Sequence, residues 1–286
     1  MKIRLLLLFS LFLNPFLQSN AQTLPAIGIC SSYTNDSLAA ANGFTFLEEA
    51  VRKVLSPALS EGQFNEQLQA IRRSRCKIES CNVFIPGNIR LTGDSVDERK
   101  VLEYVDAVMR RAKIAGIKLI VLGSGEARKI PDGADRKKVV REFIGLCRKM
   151  AVVAAKYDVV IAMENLNTSE TNFVNTVAEG NDIVRAIGHP NFRLTADIYH
   201  MLREHESPES IEKAKGILVH CHIAEREKRT PPGLAGDDFR PYLAALHKIG
   251  FNGHIMMECR WEDPAKQYKP AYEYLHQQLN EAWTTQ

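Results

Sequence analysis

Short apolar runs recur along this 286-residue chain, each separated from the next by a helix-length stretch of mixed polarity. The runs mark strand candidates at Ile27–Ser31, Phe44–Ala50, Ile78–Phe84, Lys118–Leu122, Val159–Met163, Arg193–Asp197, Ile217–His222 and His254–Glu258. They are rich in Val, Ile, Leu and Met and lack the strict alternation of a sheet with one wet face. That is how buried parallel strands read. Between them, apolar spacing of three and four predicts helices at Phe64–Arg73, Asp97–Ala115, Asp135–Lys156, Phe173–Ile187, Pro208–Lys215, Phe239–Ile249 and Pro270–Ala282. Gly116 supplies a stop for the second of these, and Ser207-Pro208 reads as a cap followed by Pro at the first helical position. The segment after the second strand is irregular.

Eight strands alternating with helices predict an α/β chain closed into a single (β/α)8 TIM barrel. About 250 residues is the typical size of that fold. An open, doubly wound sheet is the competing architecture, but no GxGxxG follows the first strand. No linker, low-complexity block or further repeat divides the chain.

The last four strand candidates each end on, or run directly into, an ionisable residue. Glu164 closes VVIAMENLN, Asp197 closes FRLTADIYH, His222 lies in GILVHCHIAE and Glu258 in HIMMECRW. In a barrel the C-terminal strand ends converge on one face, where the chemistry is done. Four such groups would repel or stay unpaired unless something bound them, and a cation is the simplest remedy. Three carboxylates and one imidazole suit Mn²⁺, Co²⁺ or Mg²⁺ better than a tetrahedral Zn²⁺ cage.

Strand alternation turns His220 and His222 the same way and Cys221 the other. His200, three residues after Asp197, is spaced to curl back over the site. Glu170 follows Glu164 by six residues and reads equally as a helix-capping acid. His220 reads as a satisfied core or supporting histidine, and Arg260 as either a site residue or an exposed charge.

The N-terminus changes the picture of where this chemistry happens. Lys2 and Arg4 precede LLLLFSLFLNPFL, with Ser19 and Ala21 behind. This describes a secretory signal peptide over 1–21, leaving a barrel domain over 22–286 in the periplasm or beyond. The run is too short to span a membrane, and Asn14-Pro15 interrupts it, so no span remains after cleavage. The formal charge of +3 includes Lys2 and Arg4, leaving 3 − 2 = +1 on the remainder. That balance gives no pull toward nucleic acid. Six cysteines in an oxidising compartment invite disulfides, yet Cys30, Cys81, Cys221 and Cys259 fall in or beside strands, as buried free thiols do. A Cys76–Cys81 pair is the minor alternative. There is no CxxC.

From Ile27-Gly28-Ile29-Cys30 to the final helix, the chain resembles the sugar phosphate isomerase/epimerase superfamily of xylose isomerase-like TIM barrels. The ketose 3-epimerases, acting on D-tagatose and D-psicose, are the branch it most resembles. The matching stretches are NVFIPGNIRLTG (82–93), LGSGEARKIPDG (122–133), MENLN (163–167), TADIYHM (195–201), HCHIAE (220–225) and GHIMMECRW (253–261). The resemblance implies one divalent ion, Mn²⁺ first and Co²⁺, Mg²⁺ or Zn²⁺ otherwise, held by Glu164, Asp197, His222 and Glu258. It makes Glu164 and Glu258 the catalytic acid/base pair, with Glu170 and His200 holding substrate hydroxyls. Arg260 stands as a further substrate-binding candidate. The family's substrate-binding Arg falls on Lys228 without a gap and on Arg229 one residue later; Lys cannot reproduce an Arg fork. The implied reaction is proton abstraction beside a carbonyl through a metal-bound enediolate, on a small sugar or keto-sugar. Whether the chain forms a homo-oligomer stays open.

Three rivals follow. A metal-dependent lyase or deglycosidase acting on 3-keto-glycosides would use the same enediolate, and export favours it. An apurinic endonuclease of this fold resembles the chain at Glu164, Asp197, His200 and Glu258. It needs further His ligands, however, and Asp237-Asp238-Phe239 stands where an Asp-x-His is required. A non-catalytic sugar-binding barrel would carry a degraded ligand set, and this one is intact.

Overall fold

A computed structural model describes residues 23–284 of the chain. The expected signal peptide lies outside the described residues. Eight parallel strands close into a barrel in sequence order: β1 (Ile27–Cys30), β2 (Phe46–Ala50), β3 (Lys77–Asn82), β4 (Leu119–Leu122), β5 (Val160–Glu164), β6 (Phe192–Asp197), β7 (Leu218–Ile223) and β8 (Ile255–Met257). Closure is made where Ile27 pairs with Ile255 and Ile29 with Met257. The helices are α1 (Asp36–Ala41), α2 (Val51–Val54), α3 (Glu61–Arg73), α4 (Glu98–Ala115), α5 (Gly125–Arg128), α6 (Arg136–Ala155), α7 (Val177–Ile187), α8 (Ile198–Arg203), α9 (Glu209–Lys213), α10 (Arg240–Lys248) and α11 (Pro264–Thr284). The chain is therefore the (β/α)8 barrel its pattern predicts.

The long helices form where the sequence says they should, for local reasons. Asp97 caps α4 by accepting from Lys100 N at 3.0 Å, and Gly116, at φ 80°, ends it in the left-handed conformation that a side chain resists. Val101, Val105, Val108, Met109 and Ala112 lie on its barrel-facing stripe and are fully buried. Each such aliphatic burial contributes roughly 1.5–3 kcal/mol for the larger side chains. Ser60 and Gln63 form a reciprocal capping box at α3, and Asp135 caps α6 through Lys137 N and Lys138 N.

Inside the barrel the packing changes character along the axis. At the N-terminal end the Phe46 ring lies 3.8 Å from that of His254. Two residues further along β2, Glu48 meets His220 and His222 of β7. The interior is thus aromatic at the bottom and ionisable at the top, where the strands' C-terminal ends open.

Several boundaries differ from expectation. The helix predicted from Phe173 starts at Val177, because Phe173 packs edge-on to Phe143 at 5.0 Å and Val174 takes φ 58°. Thr176 then caps α7 by accepting from Glu179 N. Glu170, for which helix capping was one of two readings, sits in the preceding turn and caps no helix. The last helix begins six residues before Pro270 and contains it, since Lys266 N and Gln267 N turn onto Asp263 O. Pro208 occupies the cap of α9 rather than its first helical position. The irregular stretch after β2 resolves into the short α2, the helix predicted from Phe64 is α3 and starts three residues earlier at Glu61, and the short helices α1, α5 and α8 were not anticipated. All six cysteines are free, including Cys76, whose thiol donates to Phe44 O.

Candidate active site

Glu164 is the last residue of β5, Asp197 the last of β6, His222 lies near the end of β7, and Glu258 follows β8 by one residue. Their donor atoms all lie within 4.8 Å of one another. His222 Nδ1 is 2.6 Å from Glu164 Oε1 and 3.2 Å from Glu258 Oε2. Glu258 keeps its place beyond the strand because its N–H donates to Ile223 O at 3.1 Å. Asp197 serves twice, accepting from His200 N at 3.3 Å as the cap of α8 while its second oxygen faces the cluster.

Backbone contacts fix these side chains. The Asn165 amide donates to Asp197 O at 3.2 Å and accepts from Asp197 N at 2.8 Å, locking β5 to β6. Arg128, fully buried, donates to Glu164 O at 2.7 Å, Leu122 O at 3.2 Å and Val174 O at 3.4 Å. Burial lowers its pKa to about 10, which leaves it charged at neutral pH. Gly123 admits the Glu164 carboxylate so closely that any Cβ there would collide with Oε2.

Four carboxylates converge on this space: Glu48, Glu164, Asp197 and Glu258. Burial raises Glu164, a rise that His222 only partly opposes, and burial lifts Asp197 to about 6 against the pull of Arg229. Burial also works to raise Glu258, but Arg229 and His222 outweigh it and bring that carboxyl to about 2. Burial acts to depress His222, yet Glu48 first, then Cys30, Glu258 and Glu164, lift it well above its ordinary value. Desolvation lowers His200 to about 4, so its imidazole is neutral.

The remaining sequence candidates separate cleanly. His200 is fully buried; its Nδ1 accepts from Asn167 N at 2.9 Å, placing the proton on Nε2, which lies 3.4 Å from Asp197 Oδ2. Glu170, 41% exposed, stands 3.8 Å from Arg229 Nη1. Of the two basic residues left open after β7, Arg229 reaches the cluster. Its Nη2 donates to Asp197 Oδ2 at 3.2 Å and to Glu258 Oε2, and its guanidinium lies over the Tyr199 ring at 4.7 Å. Lys228 is exposed and makes no contact with the cluster among the described residues; both residues take positive φ, which turns successive side chains apart. Arg260 is also exposed, and only its backbone N–H, donating to Arg229 O at 2.8 Å, bears on the site.

Four positions that bond to the cluster, its strand ends or the loop carrying Arg229 escaped the sequence reading. Glu48 of β2, fully buried, takes His222 Nε2 at 2.9 Å through one oxygen and faces His220 Nε2 at 2.9 Å through the other. Burial would raise its carboxyl, but His222 and His220 hold it well below the usual range. His222 Nδ1 faces Glu164 and Glu258, and an imidazole that donates through Nε2 to a carboxylate can give up its Nδ1 proton and turn that lone pair to a metal, the orientation a metal-ligating His takes. Asn82 at the end of β3 donates to Glu258 Oε1 at 3.0 Å. Glu225, buried, accepts from Gly233 N, Gly236 N, Ala235 N and Thr230 Oγ1 and so shapes the loop that carries Arg229. Arg128 is the fourth. Glu48 alone carried a signal: two acids inside an apolar strand run, FLEEA.

A family model described as xylose isomerase-like TIM barrel matches residues 37–278. The chain belongs to that family. It is 26% identical over 197 residues to the 3-dehydro-D-guloside 4-epimerase of Escherichia coli K12, covering 64% of this chain and 74% of that one. It is 32% identical over 125 residues to the D-psicose 3-epimerase of Ruminiclostridium cellulolyticum, covering 43% and 42%. Among solved structures, the Escherichia coli 3-keto-D-glucoside 4-epimerase superposes with a TM-score of 0.75 at 19% identity, over 88% of this chain and 99% of that one. A D-psicose 3-epimerase superposes with a TM-score of 0.77, also at 19%, over 89% and 99%. At those identities the superpositions bear on the fold alone. Together with further isomerase relatives, the sequence matches make this barrel an enzyme of the isomerase and epimerase type.

The side chains themselves fit a divalent cation. Three buried or half-buried carboxylates and an oriented imidazole share one small space, and Arg229 is the one guanidinium among the described residues that bonds to them. Buried negative charge in such surplus is costly without a cation between the oxygens.

Proposed function

We propose that this barrel is a divalent-metal-dependent sugar isomerase or epimerase that exchanges a proton on the carbon beside a carbonyl. The observation that carries this reading is the flanking of one imidazole nitrogen by two carboxylates from non-adjacent strands, Glu164 at 2.6 Å and Glu258 at 3.2 Å. Glu164, Asp197, His222 and Glu258 would hold the ion, with Mn²⁺ the first expectation. When bound, it supplies Lewis acidity to a carbonyl oxygen and the neighbouring hydroxyl, which acidifies the carbon-bound hydrogen.

The chain's own residues do the rest. One of Glu164 and Glu258 removes the proton and the other delivers one to the opposite face of the resulting enediolate, which inverts the centre. Because the two carboxylates arrive from different strands, neither has to move between faces. Arg229 keeps Glu258 ionised and offers its Nη1, beside Glu170, to a substrate oxygen. Neutral His200 directs its Nε2–H toward the same space, and Glu170, at the exposed rim, is placed to accept from a sugar hydroxyl. Buried Glu48 and Asn82 keep His222 and Glu258 in place while the proton moves.

A lyase acting on 3-keto-glycosides is the second reading. It shares the first proton abstraction and then expels the aglycone from the carbon β to the carbonyl. The E. coli sequence relative named for a 3-dehydro-D-guloside supports an oxidised glycoside as substrate, as does the N-terminal pattern, by which we place the protein in the periplasm or outside the cell. The test is a screen of ketoses, keto-sugars and 3-keto-glycosides with Mn²⁺-loaded protein, before and after chelation. Inverted or isomerised product that disappears with the metal supports the first reading. Aglycone release supports the second, and full activity in metal-free protein defeats both.

A further inference from the structure

We infer that the cleft between the loops after β3 and β4 is a second subsite, which takes an aromatic aglycone attached to the sugar at the carboxylate cluster. This rests on the proposed function and specifies its substrate class. The cleft has a volume of about 370 Å³ and is walled by Val83, Phe84, Ile85 and Pro86 on one side and Ser124–Ala127 on the other. A space of that size suits a ring system rather than a few waters.

Its position follows from the residues just before its walls. Asn82 donates to Glu258 Oε1 at 3.0 Å, and Val83 is next in the chain. Gly123 abuts the Glu164 carboxylate, and Ser124 is next in the chain. The cleft therefore opens on the same face of the barrel as the two carboxylates assigned to the proton transfer, each of its walls beginning one residue beyond a group that touches one of them. Ser124 Oγ accepts from Ile85 N at 2.9 Å, so the two walls are tied to each other.

Its chemistry points to an aromatic ring. Val83 is 47% exposed and sits at φ 51°, a left-handed conformation that a β-branched side chain strongly resists. An apolar group held in strain and facing solvent beside a catalytic centre gains if a ligand covers it. Half-buried Tyr104 lines the cleft beside the fully buried Phe84, with ring centroids 6.3 Å apart, and gives it an aromatic wall. Arg52 stands at the rim and makes no ion pair among the described residues, whereas Glu126 opposite is neutralised by Arg90 at 2.8 Å. Apolar walls with one free guanidinium suit a flat π system, over which that cation can stack. A free ketose would leave all of this uncovered.

The experiment compares methyl and phenyl β-D-glucoside, both inert to turnover, by NMR titration of the Mg²⁺-loaded protein. The wild type is expected to bind the phenyl glycoside at least tenfold more tightly. Val83→Asn should remove that advantage and leave methyl glycoside affinity unchanged, since Asn accepts positive φ more readily than Val and the fold is kept. Circular dichroism and thermal melting check the fold. Equal affinity for the two glycosides, an advantage that survives Val83→Asn, or no binding of either overturns the subsite. A phenyl advantage in a protein inert toward every carbonyl sugar would leave the subsite standing and sink the proposed reaction. Ketose epimerisation without the advantage would do the reverse.

Discussion

The two halves of the barrel mouth are built on different principles. The ends of β5–β8 supply Glu164, Asp197, His222 and Glu258, the groups that meet in one cluster. The middle of β2 and the end of β3 supply Glu48 and Asn82, which bond to members of that cluster, and the loops after β3 and β4 supply the apolar walls of the nearby cleft. One half holds charge that needs a partner, while the other fixes the angle and boundary of what the first half presents. The lesson is that the chemistry of a barrel can be concentrated on consecutive strands while its geometry is set from across the mouth.

The sharpest way to break this division is to remove a carboxylate from each half. Glu164→Gln or Glu258→Gln should lower kcat by about 10²–10⁴-fold with the melting temperature held or raised, as expected of a lost proton-transfer group. Glu48→Ala should instead weaken metal affinity by about 10–100-fold, read by titration with Mn²⁺, and saturating metal should restore much of the rate. Glu48→Gln, which can still accept from His222 Nε2, should fall between. If Glu48→Ala keeps full metal affinity yet loses as much kcat as Glu164→Gln, the two halves are not divided in this way.

A second comparison lies within the loop after β7. Glu225→Ala strips the carboxylate from four N–H donors and a hydroxyl, so the domain should lose about 2–3 kcal/mol in urea unfolding. Arg229→Lys keeps the charge but not the fork, and should raise KM about tenfold with little change in stability. Lys228→Ala should alter neither. The smallest effect belongs to a group remote from the mouth. Asp36 accepts from Arg75 N at 2.7 Å, and this bond lowers its pKa. A carboxylate lowered on folding lends stability above its unfolded pKa and loses it as pH falls through the folded one. Asp36→Asn should therefore flatten the acid limb of the stability profile slightly below about pH 4.

The eight strands were legible because parallel barrel strands are apolar on both faces and separated by helices with clear stripes. Glu164, Asp197, His222 and Glu258 were legible because each breaks such a run at its C-terminal end. Glu48 breaks one too, but two adjacent acids in FLEEA do not say which of them turns inward. Arg229 over Lys228 depended on two successive positive-φ residues, a property that neither side chain advertises. Arg128 and Glu225 could not be found from pattern at all, since each acts through backbone groups distant in sequence. The start of α7 was misplaced because Phe173 fits the helical spacing while packing against Phe143 from a loop.

The central claim is that Glu164 and Glu258 exchange a carbon-bound proton beside a carbonyl. Incubation of metal-loaded protein with a turned-over keto-sugar in D₂O, followed by NMR of the product, tests it most directly. The account predicts deuterium at the inverted or isomerised carbon, or loss of the C2 hydrogen coupled to aglycone release from a 3-keto-glycoside. Either outcome should collapse in Glu164→Gln and in Glu258→Gln. A product that retains its original hydrogen at that carbon would mean hydride transfer or hydrolysis, and would contradict the mechanism even with the barrel and the cluster as described.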